Sequence, residues 1–191
     1  MIHQWIIPIM GFRQSVAAQT GMEKLWQKLR RYSTERTSIM PPMRWDEPME
    51  PWAEFISRMS PSEPPLIFVA SYSWGCGQGF ITLAKALQAR GMDIHHAFLC
   101  DPVYRSTWMP TWLRLNPLSL TGIPTITVPG NVRRVSWVYQ QVDKPAGHRL
   151  VGERGSSTII EPGLQLHVPH RDMDESDEYH AMVLDQIGGS F

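Results

Sequence analysis

One serine of this chain of 191 residues lies where a nucleophile can be built. Ser73 is the central residue of the segment 71–75 (Ser-Tyr-Ser-Trp-Gly), which follows the apolar run 66–70 and precedes a predicted helix. A sharp turn between a strand and a helix lifts one side chain above the strand end, and it requires small residues two places before and two places after that side chain. Ser71 and Gly75 meet this requirement. The pattern therefore predicts a nucleophile elbow at Ser73.

Two other interpretations of this segment stay open. A serine in a turn is commonly no more than a turn former, and the Ser-x-Ser-x-Gly pattern also occurs by chance. The glycines at positions 75, 77 and 79 suggest a dinucleotide-binding loop, but they are spaced Gly-x-Gly-x-Gly instead of Gly-x-Gly-x-x-Gly, and a serine occupies the bend. Because a strand precedes the segment and a helix follows it, the elbow is favoured over a plain turn.

These features make the chain similar to the lipase and esterase branch of the α/β-hydrolase superfamily, and the resemblance extends over most of the sequence. The segment 6–12 (Ile-Ile-Pro-Ile-Met-Gly-Phe) looks like the strand and glycine loop that supply one donor of the oxyanion hole in that family. The resemblance implies the N–H group of Phe12 as this donor, with Gly11 and Arg13 as neighbouring options. The N–H group of Trp74, at the start of the predicted helix, is expected to be the second donor. The chain departs from the family at Ser71, two residues before Ser73, where glycine is commoner.

A serine becomes nucleophilic only beside a base that a third group orients, and this fold places the acid between the serine and the histidine along the chain. The loop after the strand predicted at 124–128 is the usual place for the acid, but it has no carboxylate before Asp143. The strand predicted at 94–100 runs directly into Asp101-Pro102, and pancreatic-type lipases look similar at this point. We therefore predict Asp101 as the orienting acid. The alternative is an aspartate that only caps a loop.

The base must come from the histidines that follow the acid, which are His148, His167, His170 and His180. His170 comes soon after the strand predicted at 164–168 and shortly before the helix predicted at 178–187, which is where this fold places its histidine. The segment from His170 to His180 also resembles a His-x-x-Ile-Asp…Val-His pattern of small lipase-like hydrolases. We predict His170 as the base and keep His180 in reserve.

The sequence indicates neither a metal nor a cofactor. His95 and His96 are adjacent, so in a strand their side chains face opposite ways and cannot share one ion. Neither Cys76 nor Cys100 belongs to a Cys-x-x-Cys pair. We therefore expect a site that works without a metal ion or an organic cofactor.

The segment 103–121 follows the predicted acid and has no clean period. It contains Trp108, Met109 and Trp112 among prolines and threonines. These side chains are either ordinary core or, at the edge of the sheet where substrates bind, an apolar acyl pocket or a short cover.

Strands that alternate with helices must position these residues. Short apolar runs predict strands at 6–10, 37–40, 66–70, 94–100, 124–128 and 164–168. Apolar residues at helical spacing predict helices at 22–32, 51–59, 80–90 and 178–187. The stretch 130–160 has mixed signals and is interpreted as an excursion or as a hairpin of 132–141 and 150–160. We predict a single domain over residues 1–191, a compact α/β-hydrolase-like three-layer sandwich with a mostly parallel sheet of about five or six strands.

Composition excludes several classes of protein. The 18 basic and 18 acidic residues leave no net charge, so a general attraction to nucleic acid or anionic lipid is not expected. No apolar run approaches the ~18 residues that predict a transmembrane helix. Hydrophobic residues make up 42%, which is enough for a core. Two cysteines make no disulfide framework and indicate a reducing compartment, so we expect a cytoplasmic protein.

The function that these residues predict is that of a serine hydrolase, esterase-like or lipase-like, which cleaves carboxylic esters through an acyl-enzyme on Ser73. Its expected partner is a small apolar ester or a lipid-like substrate, because tryptophans and methionines are frequent. The alternative from another class is a hydrolase-like binding module without catalytic activity. A nucleotide-binding α/β domain is the third possibility.

Overall fold

In the described part of the chain, a parallel sheet of seven strands forms the centre. The computed structural model describes residues 3–12, 14, 19–60, 63–104 and 125–188. The strands of the central sheet are β1 (Gln4–Ile9), β2 (Thr37–Ile39), β3 (Leu66–Tyr72), β4 (Ile94–Cys100), β6 (Val132–Gln140), β8 (Ile159–Ile160) and β9 (Leu164–Leu166). Their order is β2-β1-β3-β4-β6-β8, and β9 pairs with the later part of β6. Because every pair is parallel, all the strand ends that carry candidate site residues lie at one edge.

Two strands lie outside this sheet. They are β5 (Thr125–Val128) and β7 (Arg149–Gly152), which form a separate two-stranded parallel sheet. The strand predicted at 124–128 therefore exists, but it does not belong to the central sheet.

Helices cover the central sheet on both faces. The α-helices are α1 (Gly21–Leu29), α2 (Glu50–Met59), α3 (Phe80–Gln88) and α4 (Asp177–Gly188). A 3₁₀ helix (Arg30–Tyr32) continues α1, a π-helical turn (Gly75–Gly79) precedes α3, and a second 3₁₀ helix (His170–Glu175) precedes α4. The last two segments matter for function because they follow β3 and β9 at the carboxyl edge of the sheet.

Consecutive side chains of the central strands enter two different cores. Ile7 and Val69 pack with buried residues of α2 and α3, whereas Ile6 and Phe68 pack with buried residues of α1 and α4. Strands that are apolar on both faces are what a parallel sheet between two helical layers requires. The predicted three-layer sandwich with a mostly parallel sheet is confirmed.

The interpretation of residues 130–160 as a hairpin is wrong. β6 runs parallel to β4 inside the central sheet, and β7 pairs with β5 instead of returning beside β6. A strand at 132–141 was one of the alternatives, but its place in the central sheet was not predicted because it is not a continuous apolar run. Arg133 and Arg134 are exposed beside the buried Val132 and Val135, since the neighbouring strands β8 and β9 are short and leave this edge partly open to solvent.

Two findings bear on the sequence expectations about membranes and cysteines. Within the described ranges, no helix has the length and apolar character needed to cross a bilayer. Cys76 and Cys100 are both buried free thiols. Burial raises the pKa of Cys76 to about 12 and raises that of Cys100 well above its ordinary value, so both thiols stay protonated and unreactive.

Candidate active site

Ser73 lies in a strained turn between β3 and the π-helical turn. Its φ of 54° is in the left-handed region, which residues other than glycine rarely adopt. Hydrogen bonds hold the turn on three sides. The Ser73 N–H donates to the Cys100 carbonyl at 2.9 Å, and the Ser73 carbonyl accepts from the N–H groups of Cys76 at 3.0 Å and Val103 at 3.1 Å. The turn therefore has the backbone geometry that was predicted for an elbow.

The glycines after Ser73 are explained by close packing of backbone segments. A Cβ atom on Gly75 would lie 2.8 Å from the carbonyl oxygens of Ile9 and Met10 at the end of β1. A Cβ atom on Gly77 would lie 2.2 Å from the carbonyl oxygen of Val103. Protein backbone fills the space beside these glycines, so their spacing is no evidence of a phosphate-binding loop.

Three side chains from three strand ends form a continuous hydrogen-bonded series. The Oγ of Ser73 lies 2.9 Å from the Nε2 of His170, and the Nδ1 of His170 lies 2.5 Å from the Oδ2 of Asp101. Asp101 is fully buried, and the His170 side chain is 14% exposed. An ionised carboxylate can only accept, so Nδ1 carries the proton and Nε2 is left to accept from the serine hydroxyl. This is the order in which a carboxylate, an imidazole and a hydroxyl can generate a nucleophile.

Asp101 is held at the end of β4 by the neighbouring strand β6. Its N–H donates to the Val138 carbonyl at 2.8 Å. Its carboxylate accepts from the Gln140 backbone N–H at 3.2 Å and from the Gln140 side-chain Nε2 at 3.0 Å. Like Ser73, Asp101 has a positive φ, at 41°. The acid is therefore fixed by several backbone and side-chain contacts in a site that solvent does not reach.

His170 is the first residue of its 3₁₀ helix and is fixed through its main chain. Its N–H donates to the Asp143 carboxylate at 2.8 Å, and its carbonyl accepts from the Tyr72 hydroxyl at 2.6 Å. The Tyr72 ring also stacks on the imidazole, with ring centroids 5.3 Å apart. Burial raises the pKa of Tyr72, so its hydroxyl stays protonated and keeps donating.

The reserve base, His180, lies elsewhere. Its Nε2 is within hydrogen-bond distance of the carbonyls of Gly21 (3.2 Å) and Asp174 (2.8 Å), and its Nδ1 is 2.8 Å from the Nζ of Lys28. Burial and the charge of Lys28 lower the pKa of His180, which favours a neutral ring. His180 therefore fastens α4 to the start of α1 and to the 3₁₀ helix.

Among the described contacts, neither of the other two histidine candidates is hydrogen-bonded to Ser73. His148 is buried, its Nδ1 accepts from the Tyr104 N–H at 3.3 Å, and burial lowers its pKa to about 4. His167 is exposed next to β9. Of the four candidates, His170 is the one that the structure brings against Ser73.

The two residues predicted to form the oxyanion hole meet through their side chains. The rings of Phe12 and Trp74 are stacked with centroids 4.0 Å apart, and Trp45 packs edge-on against Trp74 at 5.0 Å. The Gly11 N–H donates to the Gln14 side chain at 3.0 Å, so this optional donor already has an acceptor. Arg13, the other option, lies outside the described residues.

Gln14 and Asp174 connect the loop after β1 with the 3₁₀ helix that begins at His170. Gln14 Nε2 donates to the Asp174 carboxylate at 2.7 Å, and the same carboxylate accepts from the Met22 N–H at 3.0 Å. Asp174 is buried, and this burial raises its pKa. Sequence reasoning missed Gln14, Asp174 and Gln140, because each acts through contacts with residues distant in the chain.

Two further expectations concern substrate and metal. Trp108, Met109 and Trp112, the predicted substrate pocket in the segment 103–121, lie outside the described residues, as does that segment from residue 105 onward. In the part of the chain that the structure describes, no group of three His, Cys, Asp or Glu side chains is placed to hold a metal ion.

Comparisons with known proteins give structural relatives alone. No protein-family model and no curated protein matches the sequence. The chain is similar in structure to the thioesterase domain SrfTE, which cyclizes the lipopeptide antibiotic surfactin. The two are 11% identical with a TM-score of 0.54, over 99% of this chain and 91% of that one. A structure of RedJ with a PEG molecule in its active site is 13% identical with a TM-score of 0.49, over 100% and 90% of the two chains. The likeness to SrfTE shows that this chain has the α/β-hydrolase fold, which confirms the fold predicted from sequence.

Proposed function

We propose that the protein is a serine hydrolase that cleaves carboxylic esters through a covalent acyl-enzyme. The observation that carries this proposal is the uninterrupted series from Asp101 through His170 to Ser73, with distances of 2.5 and 2.9 Å. A buried carboxylate, an imidazole and a strained serine in this order form the arrangement that acyl transfer needs.

In the proposed reaction, the Ser73 Oγ attacks the acyl carbonyl while the Nε2 of His170 takes the hydroxyl proton. The imidazolium that forms is stabilised by Asp101, which also holds the ring in the required tautomer. His170 then gives the proton to the leaving alcohol as the C–O bond of the ester breaks. Water, deprotonated in turn by His170, cleaves the acyl-enzyme and regenerates Ser73.

The negative charge on the carbonyl oxygen needs preorganised donors. We assign this role to the backbone N–H groups of Phe12 and Trp74. Their ring stacking at 4.0 Å supports the assignment, because it holds the loop after β1 and the turn after β3 together. One donor of this kind is worth about 10²- to 10³-fold in rate in other enzymes.

The substrate proposed is a small apolar acyl ester. Partly buried aromatic side chains of Phe12, Trp45 and Trp74 lie beside the nucleophilic turn and favour an apolar acyl group over a charged one. Thioesters are a second substrate class to test, because their cleavage would use the same residues and SrfTE, the similar structure, is a thioesterase domain.

The test is labelling of the purified protein with a fluorophosphonate, which reacts with activated serines. We expect the wild type to be labelled and to hydrolyse short and medium p-nitrophenyl esters or an acyl thioester. Ser73→Ala should lose both labelling and turnover. Ser136→Ala, at another buried serine, is the matched control and should keep them.

A folded wild type that is neither labelled nor active would contradict the proposal. It would leave a hydrolase-like binding module. Labelling that persists in Ser73→Ala would place the nucleophile elsewhere.

A further inference from the structure

The side chain of Gln140 lies at the end of β6, fully buried, and its amide has two separate sets of partners. Its Nε2 faces three acceptors, the Asp101 carboxylate at 3.0 Å and the carbonyls of Asp143 at 3.2 Å and Pro145 at 2.9 Å. Its Oε1 accepts from the N–H groups of Val142 at 2.6 Å and Asp143 at 2.9 Å. Reversing the amide would set donors against donors and acceptors against acceptors, so its orientation is determined.

The contacts of Gln140 close a ring around the proposed acid and base. From Gln140, the hydrogen bonds run to the Asp101 carboxylate, from there to the His170 imidazole, and from the His170 N–H to the Asp143 carboxylate. The Asp143 N–H donates back to the Gln140 Oε1. One buried amide therefore contacts both the carboxylate that orients the imidazole and the residue that fixes the imidazole's main chain.

We propose that Gln140 is a positioning residue that keeps Asp101 and His170 aligned for proton transfer. This inference rests on the proposed function. The Asp101 carboxylate is fully buried, so it depends on protein donors, and two of its three described donors belong to Gln140. Losing the side-chain donor frees the carboxylate to turn, and losing the acceptor releases the loop that holds the His170 N–H.

Two substitutions separate this role from a general contribution to folding. Gln140→Met keeps the length of the side chain but removes all its polar partners, so kcat should fall roughly 10- to 100-fold with a much smaller change in KM. The decrease should be similar at all pH values. Gln165→Met, at an exposed glutamine of β9, is the matched control and should retain the activity of the wild type.

Gln140→Glu has a different signature. The new carboxylate still accepts from the loop N–H groups, but it lies against Asp101, and two adjacent carboxylates retain a shared proton. At low pH this proton replaces the lost donor. As pH rises the proton leaves and the two charges repel. The ratio of the variant's kcat/KM to that of the wild type should therefore fall as pH increases, which a purely structural role would not produce.

A spectroscopic measurement tests the same idea without turnover. The proton on Nδ1 of His170 should give a downfield proton resonance in the wild type, identified by its absence in His170→Gln. We expect it to move or broaden in Gln140→Met and to remain unchanged in Gln165→Met. If the wild type is neither labelled nor active but the resonance responds in this way, the proposed function fails, and only the alignment of Asp101 with His170 by Gln140 stands, without a proton transfer that it serves.

The proposal is overturned if the folded Gln140 variants keep the wild-type resonance, the wild-type kcat and an unchanged pH profile. It is also overturned if both variants lose activity only in proportion to the loss of folded protein, followed by circular dichroism.

Discussion

The described part of the chain contains two sets of serine, histidine and carboxylate, and their hydrogen bonds run in a different order. In the set at the carboxyl edge of the sheet, His170 lies between Ser73 and Asp101. In the second set, the serine lies in the middle. The Nε2 of His96 in β4 is 2.8 Å from the Oγ of Ser136 in β6, and this hydroxyl donates to the carboxylate of Glu161 at 2.5 Å.

This difference in order decides what each serine can do. The Ser136 proton is committed to Glu161, so its oxygen accepts from His96, and an imidazole that donates to a serine cannot be its base. Ser136 also belongs to a regular strand, whereas Ser73 has a strained backbone. Residue types alone therefore do not define a nucleophile. The order of the hydrogen bonds and the strained backbone at a strand end distinguish Ser73 from Ser136.

The largest expected difference in activity is between substitutions of the two histidines, His170 and His96. His170→Gln should lower kcat/KM by about 10⁶-fold, because no group remains to take the serine proton. His96→Gln should keep the activity of the folded protein, since a glutamine amide still donates to Ser136. Ester hydrolysis at matched concentrations of folded protein provides the measurement. A similar decrease in both variants would contradict the distinction between the two sets.

Substitutions of the two carboxylates, Asp101 and Glu161, should differ in activity by less than those of the two histidines. Asp101→Asn keeps the shape of the acid but no longer favours the Nδ1–H tautomer, so we expect kcat to fall about 10⁴-fold with little change in KM. Glu161→Gln retains an acceptor for the Ser136 hydroxyl and should leave kcat at the wild-type value. Steady-state kinetics would decide. Equal kcat values for wild type and Asp101→Asn would exclude Asp101 as the orienting acid.

The second set should be visible in the pH dependence of stability. Burial lowers the pKa of His96 to about 4; among its charged neighbours Arg134 and His95 act in the same direction and Glu161 opposes them. The folded state thus keeps this ring neutral while the unfolded chain takes up a proton near pH 6.5. The free energy of unfolding should decrease as pH falls from about 6.5 to 4, by on the order of 3 kcal/mol from His96.

Urea unfolding of wild type and His96→Gln from pH 7 to pH 4 tests this contribution. The variant should lose less stability over this range, and the gap between the two proteins should narrow by that amount. His148, with its pKa also lowered to about 4, remains in both proteins and serves as the internal reference. A constant gap would mean that His96 is protonated in the folded state as readily as in the unfolded chain.

The comparison also shows which parts of the molecule the sequence could predict. The sandwich and the turn at Ser73 were predictable because continuous apolar strands and small residues around a bend have strict local patterns. Asp101 and His170 were chosen through their positions after strands, and the structure brings both together with Ser73. The place of β6 in the central sheet was not predicted because Arg133 and Arg134 interrupt its apolar pattern. The placement of Gln140 follows from that strand, so it was not predictable either.

The smallest effect we expect concerns the loop after β1, which we propose to provide an oxyanion donor beside Ser73 and which has no counterpart beside Ser136 among the described residues. Gln14 connects the Gly11 N–H with the buried Asp174 carboxylate. Gln14→Leu removes both contacts and should loosen the loop without removing its backbone donors. Since losing a whole donor costs about 10²-fold or more, we expect kcat to fall roughly tenfold with nearly unchanged KM. Single-turnover acylation would measure it, because only the steps with charge on the carbonyl oxygen are affected. If acylation keeps its wild-type rate, the Phe12 loop is held by other contacts, and the stacking of Phe12 on Trp74 is then the first to examine.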